Sequence, residues 1–270
     1  MGKIFITGDK HASTQDILST ILQIDNPKED DKIIICGDAG FEYMNYIQEN
    51  AKRTARKFPG SWIVLRGNHD SRYWAAHCDM ICDLKINSYK WLPHTTWSFT
   101  KDGKYLYEKK YPNILYVQDE GGLYNIEGYN FLFIPGAYSV DKHYRLETHK
   151  PWNPQEQLSI EEQIRLINLV GDCNKNNIPI DFAIGHTFPY QLEPCYKYLF
   201  LNFIDQSLID KTMEKFLNEL SFMFEQNFAF KHYFGGHFHS NIYNMRNKYT
   251  MLYNDIINIE DYIEEEKDEV

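Results

Sequence analysis

The chain has 270 residues, 43% hydrophobic and 16% aromatic, ample for one large core or two small ones, which excludes a disordered polymer as the default. Its formal net charge of -10 provides no global positive field for a nucleic-acid backbone, so bulk nucleic-acid binding is not expected and an anionic substrate must be attracted locally. Five cysteines, an odd number without CxxC spacing, fit neither a disulfide framework nor a thiolate zinc site and point to a reducing cytoplasm.

The start MGKIFITGDKH runs into a strand-like stretch with no charged-then-apolar leader, and no apolar run reaches the roughly 18 residues of a membrane span. Short apolar runs then alternate with amphipathic ones. KIFIT precedes a helix expected over Ser13 to Ile24, KIIIC one over Glu42 to Lys57, and SWIVL one near Asp70 to Met80. Strand, helix, strand at this spacing gives βαβ units and an α/β fold. Leu84 to Tyr111 breaks the rhythm with aromatics and lysines and reads as an insertion or hairpin. Next come NILYVQD and a hairpin, LYNIEGYNFLFIPG, turning at Glu127-Gly128. A helix over Ser159 to Asn174, the strand DFAIG and a helix over Asp205 to Asn227 follow, and KHYFGG, NIYNM and KYTMLYND close the chain as strands. No repeat or Gly/Ser/Pro linker divides it, so residues 1–260 are expected to form one domain with an insert near 84–111, and 261–270 a solvated acidic tail.

Five of these strands end alike. Each runs through a glycine into polar groups: Asp9 and His11; Asp38; Asn68, His69 and Asp70; His186; His237 and His239. Ligands of open α/β sheets bind outside the carboxyl ends of the strands, so these ends should converge. Singly, each group has an ordinary reading: Asp9 and Asp38 as helix caps, His11 as a surface residue, Asn68 to Asp70 as a turn, His186 and His239 as satisfied core histidines. Independent turns would not be expected to place only carboxylate, imidazole and carboxamide after glycine five times over.

In order and spacing these groups resemble the calcineurin-like metallophosphoesterases, whose motifs run DxH, GD, GNH(D/E), GH and GHxH. Here they stand as Asp9-Lys10-His11, Gly37-Asp38, Gly67-Asn68-His69-Asp70, Gly185-His186 and Gly236-His237-Phe238-His239. The resemblance implies a four-layer α/β/β/α sandwich with two metals. It implies Asp9, His11 and His239 on the first ion, Asn68, His186 and His237 on the second, and Asp38 bridging. His69 would be the catalytic histidine, Asp70 would orient its ring, and Asn68 would also face substrate. GDAGFEY and GNHD depart from the GDxVDRG and GNHE of the protein-phosphatase branch, so that alternative is disfavoured. A non-catalytic scaffold, like the retromer subunit of this fold that lacks the histidine, is disfavoured because His69 is present.

Oxygen and imidazole donors without thiolate suit Mn, Fe, Zn or Ni better than Mg or Ca, with Mn favoured. A metal pair roughly 3.5 to 4 Å apart can supply a hydroxide nucleophile and clamp phosphate oxygens, which also resolves how an acidic protein holds an anion. The expectation is hydrolysis of a small phosphomonoester or phosphodiester, nucleotide-type among them, with no membrane partner and the oligomeric state open. Outside the five motifs, Arg145 is a candidate phosphate or substrate contact, or a salt-bridge partner of Glu147 or Glu156. Substrate choice is expected to lie in Leu84 to Tyr111 and Gly136 to Trp152. The aromatics of NSYKWLPHTTWSF and PCYKYLFLNF read as core or dimer surface before nucleobase stacking, and His77, His94, His143, His149 and His232 as ordinary residues.

Overall fold

A computed structural model describes residues 1–42, 46–74, 97–150, 152–200 and 204–263. The strands are β1 (Ile4–Thr7), β2 (Lys32–Ile35), β3 (Ser61–Val64), β4 (Trp97–Phe99), β5 (Leu106–Glu108), β6 (Ile114–Tyr116), β7 (Gly122–Ile126), β8 (Tyr129–Ile134), β9 (Phe182–Gly185), β10 (His232–Gly235), β11 (Ile242–Met245), β12 (Tyr249–Met251) and β13 (Ile256–Asn258). The α-helices are α1 (Thr14–Leu22), α2 (Tyr46–Ala55), α3 (Lys142–Glu147), α4 (Ile160–Lys175), α5 (Glu193–Tyr196) and α6 (Thr212–Phe224). One sheet has the order β13-β1-β2-β3-β6-β5-β4, the other β11-β12-β10-β9-β8-β7.

The apolar runs explain how these pieces stack. Because side chains alternate across a strand, a run that is apolar at every position must be covered on both faces. Ile4 and Ile6, Ile34, and Ile63 and Leu65 from the first sheet share a core with Phe131, Phe133, Phe182, Ile184 and Phe234 from the second. The intervening Phe5, Ile33, Ile35, Trp62 and Val64 face the other way and pack with Ile17 and Ile21 of α1 and Ala51 and Ala55 of α2. Leu132, Ile134 and Ala183 likewise turn outward, onto Leu166 and Val170 of α4 and Leu217 and Leu220 of α6. The result is a four-layer α/β/β/α sandwich. No helix among the described residues is long and apolar enough to cross a membrane.

Helix starts follow local chemistry. The Ser13 side chain accepts from the Asp16 N–H, and Ser159 with Glu162 forms a complete capping box. The helix expected from Asp205 begins later: Asp205 caps a separate 3₁₀ turn at Gln206–Leu208, and Asp210 accepts from both the N–H and the hydroxyl of Thr212, where α6 starts. KYTMLYND is shorter as a strand than expected, and the chain crosses after it to pair β13 antiparallel with β1 in the other sheet. The described part of the expected insertion contains the antiparallel pair β4–β5 at the edge of the first sheet. Residues 84–96, 75–80 of the helix expected near Asp70 to Met80, His77, His94 and 264–270 lie outside the described residues.

Register places the site. Thr7, Ile35 and Val64 are level across parallel β1, β2 and β3, and Phe234 is level with Ile184 across parallel β10 and β9. Asp9, Asp38 and Asn68 therefore leave one sheet within a few residues of a common line, and His186 and His237 leave the other.

Candidate metal centre

The five strand ends meet. Asp9 Oδ2 lies 3.3 Å from His239 Nε2 and 3.8 Å from His11 Nε2, and the two imidazole nitrogens are 2.9 Å apart. A second cluster centres on the Asn68 amide oxygen, 2.8 Å from His186 Nε2 and 3.1 Å from His237 Nδ1, with Asp38 Oδ2 3.4 Å from His186 Nε2. Donors bound at about 2.1 Å to a common octahedral or tetrahedral ion sit roughly 3.0 to 3.4 Å from one another. These separations are on that scale, so the residues fit a divalent cation in each cluster. Asp9, His11 and His239 form one potential metal-holding group and Asp9, Asp38 and His186 another.

The backbone is bent hard to achieve this. His11, Asp38, His237 and His239 all have positive φ, 44°, 50°, 73° and 49°, a conformation that costs energy for residues with a Cβ and concentrates at functional sites. The motif glycines give room to groups from other strands. A Cβ on Gly37 would lie 2.2 Å from His186 Nδ1, one on Gly67 2.1 Å from Asp38 Oδ1, and one on Gly236 2.1 Å from Asp9 Oδ1.

Partners fix each donor. The His186 Nδ1–H donates to the Cys36 carbonyl at 2.7 Å, leaving Nε2 to face Asp38 and Asn68. The His237 N–H donates to the Asp9 carboxylate, and the His69 N–H to Asp38 Oδ1 at 2.9 Å. Lys10, buried between two candidate ligands, donates to the Tyr253 carbonyl at 2.8 Å, and the Tyr253 ring stacks on His239 at 4.9 Å. Asn68 is oriented by residues that the sequence reading missed. Its Nδ2 donates to Ser139 Oγ at 2.9 Å, and Ser139 donates from both N and Oγ to the Glu156 carboxylate, which also accepts from Trp152 Nε1. Arg66, two residues beyond β3, donates to the Glu156 carbonyl at 2.9 Å and so also anchors this support.

Burial and charge are graded across the site. Asp9, Asp38, Asn68 and His186 are buried, His11, His69 and His237 half-buried, and His239 exposed, so the cluster opens on one side. Burial disfavours the Asp38 carboxylate, yet the His186 and His69 rings outweigh it and hold the group well below the ordinary carboxylate range. Burial likewise opposes charge on His186, but Asp38 and Asp9 raise it to about 9, while burial and the neighbouring His186 drive His237 down to about 3. Burial also lowers His69, whose Nε2 stands 4.0 Å from Asp38 Oδ2.

Two expected contacts differ. Asp70 does not hold the His69 ring: its oxygens accept from the Gly67 N–H at 3.0 Å and the Gly40 N–H at 3.4 Å, stitching two strand-end turns together. Burial, with Asp38 near, raises its carboxyl to about 7. Arg145 pairs with Asp141 one helical turn away, its Nε 2.7 Å from Oδ2.

A family model described as calcineurin-like phosphoesterase matches residues 2–241. Among solved structures, a phosphopantetheinyl hydrolase from Mycobacterium tuberculosis is similar at 12% identity and a TM-score of 0.43, over 94% of this chain and 90% of that one. No functionally curated protein matches the chain.

Proposed function

The chain belongs to the calcineurin-like phosphoesterase family and is a metal-dependent phosphoric ester hydrolase, and on that premise we propose that it hydrolyses a small phosphorylated substrate with two divalent ions. Asp9, His11 and His239 would hold one ion, Asn68, His186 and His237 the other, with Asp38 between them. The observation that carries this reading is the pair of donor clusters, one around Asp9 Oδ2 and one around Asn68 Oδ1, each with ligand-like spacings. Such ions would supply Lewis acidity for a water nucleophile and positive charge for the phosphate oxygens. Oxygen and imidazole donors make manganese the first ion to test.

The chain's own groups do the rest. His69, half-buried at the open side with its backbone N–H on Asp38, would hand a proton to the leaving oxygen. The Asp9 and Asp38 carboxylates are fixed by backbone N–H groups, so neither must reorganise when charge builds on the substrate. Arg145, whose charge is felt at His69, would steady the far side of the substrate with the guanidinium that Asp141 orients. Cys36 and Cys173 are buried and free, which fits a reducing cytoplasm.

The test is reconstitution of metal-free protein with Mn, Fe, Zn or Ni, followed by elemental analysis and turnover of 4-nitrophenyl phosphate and bis(4-nitrophenyl) phosphate. Two ions per chain and metal-dependent turnover are expected. Saturation at one ion with full activity would end the dinuclear reading.

A further inference from the structure

The link between β12 and β13, residues 252–255, carries the chain from one sheet to the other beside the candidate metal centre. β12 lies next to β10, whose end leads to His237 and His239, and β13 next to β1, whose end leads to Asp9 and His11. The link is fastened on both sides. The Leu252 N–H donates to the Gly235 carbonyl at 2.8 Å, and the Thr7 hydroxyl donates to the Asp255 carbonyl at 2.8 Å. Gly8 allows β1 to approach so closely that a Cβ there would come within 1.9 Å of the Leu252 carbonyl oxygen and 2.7 Å of the Tyr253 Cα.

Tyr253 is tied to both sides at once. Its N–H donates at 2.7 Å to Asn241 Oδ1, two residues beyond His239, and its carbonyl accepts at 2.8 Å from the ammonium of Lys10, which stands between Asp9 and His11. Lys10 is only 1% exposed, and a buried ammonium holds its acceptor firmly because separating the two leaves a charge without a partner in the interior. The Tyr253 ring lies on the His239 imidazole, with centroids 4.9 Å apart and planes 17° from one another. That stack stands where another candidate ligand has a hydrogen bond. His186, fully buried, is turned by its Nδ1–H on the Cys36 carbonyl, whereas the His239 side chain is 50% exposed and no group among the described residues hydrogen-bonds its Nδ1. An exposed imidazole engaged only through Nε2 is free to change rotamer unless its face is held.

We propose that Tyr253 is the positioning residue for the ion of Asp9, His11 and His239. Its backbone joins the turn that carries Asp9 and His11 to the turn that carries His239, and its ring sets the plane of the His239 imidazole. Nε2 is thereby kept 3.3 Å from Asp9 Oδ2 and 2.9 Å from His11 Nε2. Tyr253 acts through His239, so its flat ring is required and its hydroxyl is not. The inference rests on the two-ion reading only for the presence of that ion.

Calorimetric titration of the metal-free full chain with manganese tests it, with His239→Ala showing which binding step belongs to this ion. In Tyr253→Ala that step should weaken about 10-fold or more, while the other step and the Tm stay near wild type. Tyr253→Phe, which keeps the ring, should bind both ions as the wild type does. Tyr253→Leu fills the space without a flat face and should weaken the same step, which keeps the test open if the alanine variant fails to fold. Unchanged affinity in Tyr253→Leu, equal weakening of both ions, or a phenylalanine variant as impaired as the leucine one overturns the assignment and leaves the two-ion reading intact. A wild type from which His239→Ala removes no ion overturns that reading and the assignment with it.

Discussion

Removing the Ser139 hydroxyl should weaken one metal site selectively. In Ser139→Ala the Asn68 Nδ2–H, donated at 2.9 Å within a buried turn, loses its acceptor, and Glu156 loses one of its donors. An orphaned buried N–H costs about 1 to 3 kcal/mol. The amide can escape that cost by rotating, which would turn Nδ2 toward His186 Nε2 and His237 Nδ1 in place of the oxygen now 2.8 and 3.1 Å from them. Either way the carbonyl donor is degraded, and loss of such an outer partner typically lowers metal affinity about 10- to 100-fold, or ~1.4 to 2.7 kcal/mol. The Asp9, His11 and His239 group makes no contact with Ser139 and should bind as before. Calorimetric titration of metal-free protein with manganese should therefore show two equivalents in the wild type, but in Ser139→Ala one unchanged and one weakened. Activity should return at high metal concentration. Equal weakening of both ions, or unchanged binding with only a lowered Tm, would show that Ser139 supports the fold and not Asn68.

Gly67→Ala should displace Asp38, because the new methyl would sit 2.1 Å from its Oδ1 and 2.5 Å from its backbone nitrogen; elemental analysis finding two tightly held ions would disprove it. His69→Gln should keep both ions while kcat falls about 10² to 10⁴, and the loss should shrink with good leaving groups. An equal fall for aryl and alkyl esters would assign the ring to electrostatic stabilisation instead. Lys52→Met leaves Glu42 and Glu108, each now 2.7 Å from the Lys52 ammonium, facing one another without a cation; urea unfolding should register a loss of about 3 to 5 kcal/mol, and a loss below about 1 would mean the carboxyls simply protonate. Burial, aided by Lys248, pulls His232 down to about 3 from about 6.5 unfolded. The unfolded chain then binds the extra proton between those values, so stability is complete above about pH 6.5 and falls toward pH 3. His232→Gln should flatten the limb from pH 6.5 to 5 by about 2 kcal/mol; identical slopes in the two proteins would contradict this.

That β2, β3 and β9 are covered on both faces was legible because IIIC, WIVL and FAIG are apolar at every position; the four layers were what the family resemblance implied. The α4 boundary was legible for a local reason, Ser159 three residues before Glu162. The α6 boundary was not: Asp205 and Asp210 stop and restart the helix with side-chain caps inside an otherwise continuous amphipathic pattern. β13 was missed because its three residues are all half-buried and show no alternation; pairing with β1 defines it, and that pairing joins residues some 250 positions apart.

The candidate ligands stood out because each follows a glycine at a strand end, a signal contained in a few adjacent residues. Ser139 and Glu156 carried no such signal. Glu156 matters through Ser139, 17 residues away, and through Arg66, 90 residues away. The glycines themselves were legible only in part. As turn formers they would act independently, each serving its own motif. In the folded chain Gly37 clears the ring of His186, Gly67 the carboxylate of Asp38 and Gly236 that of Asp9, so three of the motifs supply the space that another motif's donor fills. Damage at one strand end would therefore be transmitted to a donor on another strand or in the other sheet, and metal binding by these motifs is expected to behave as one unit, not as five additive contributions.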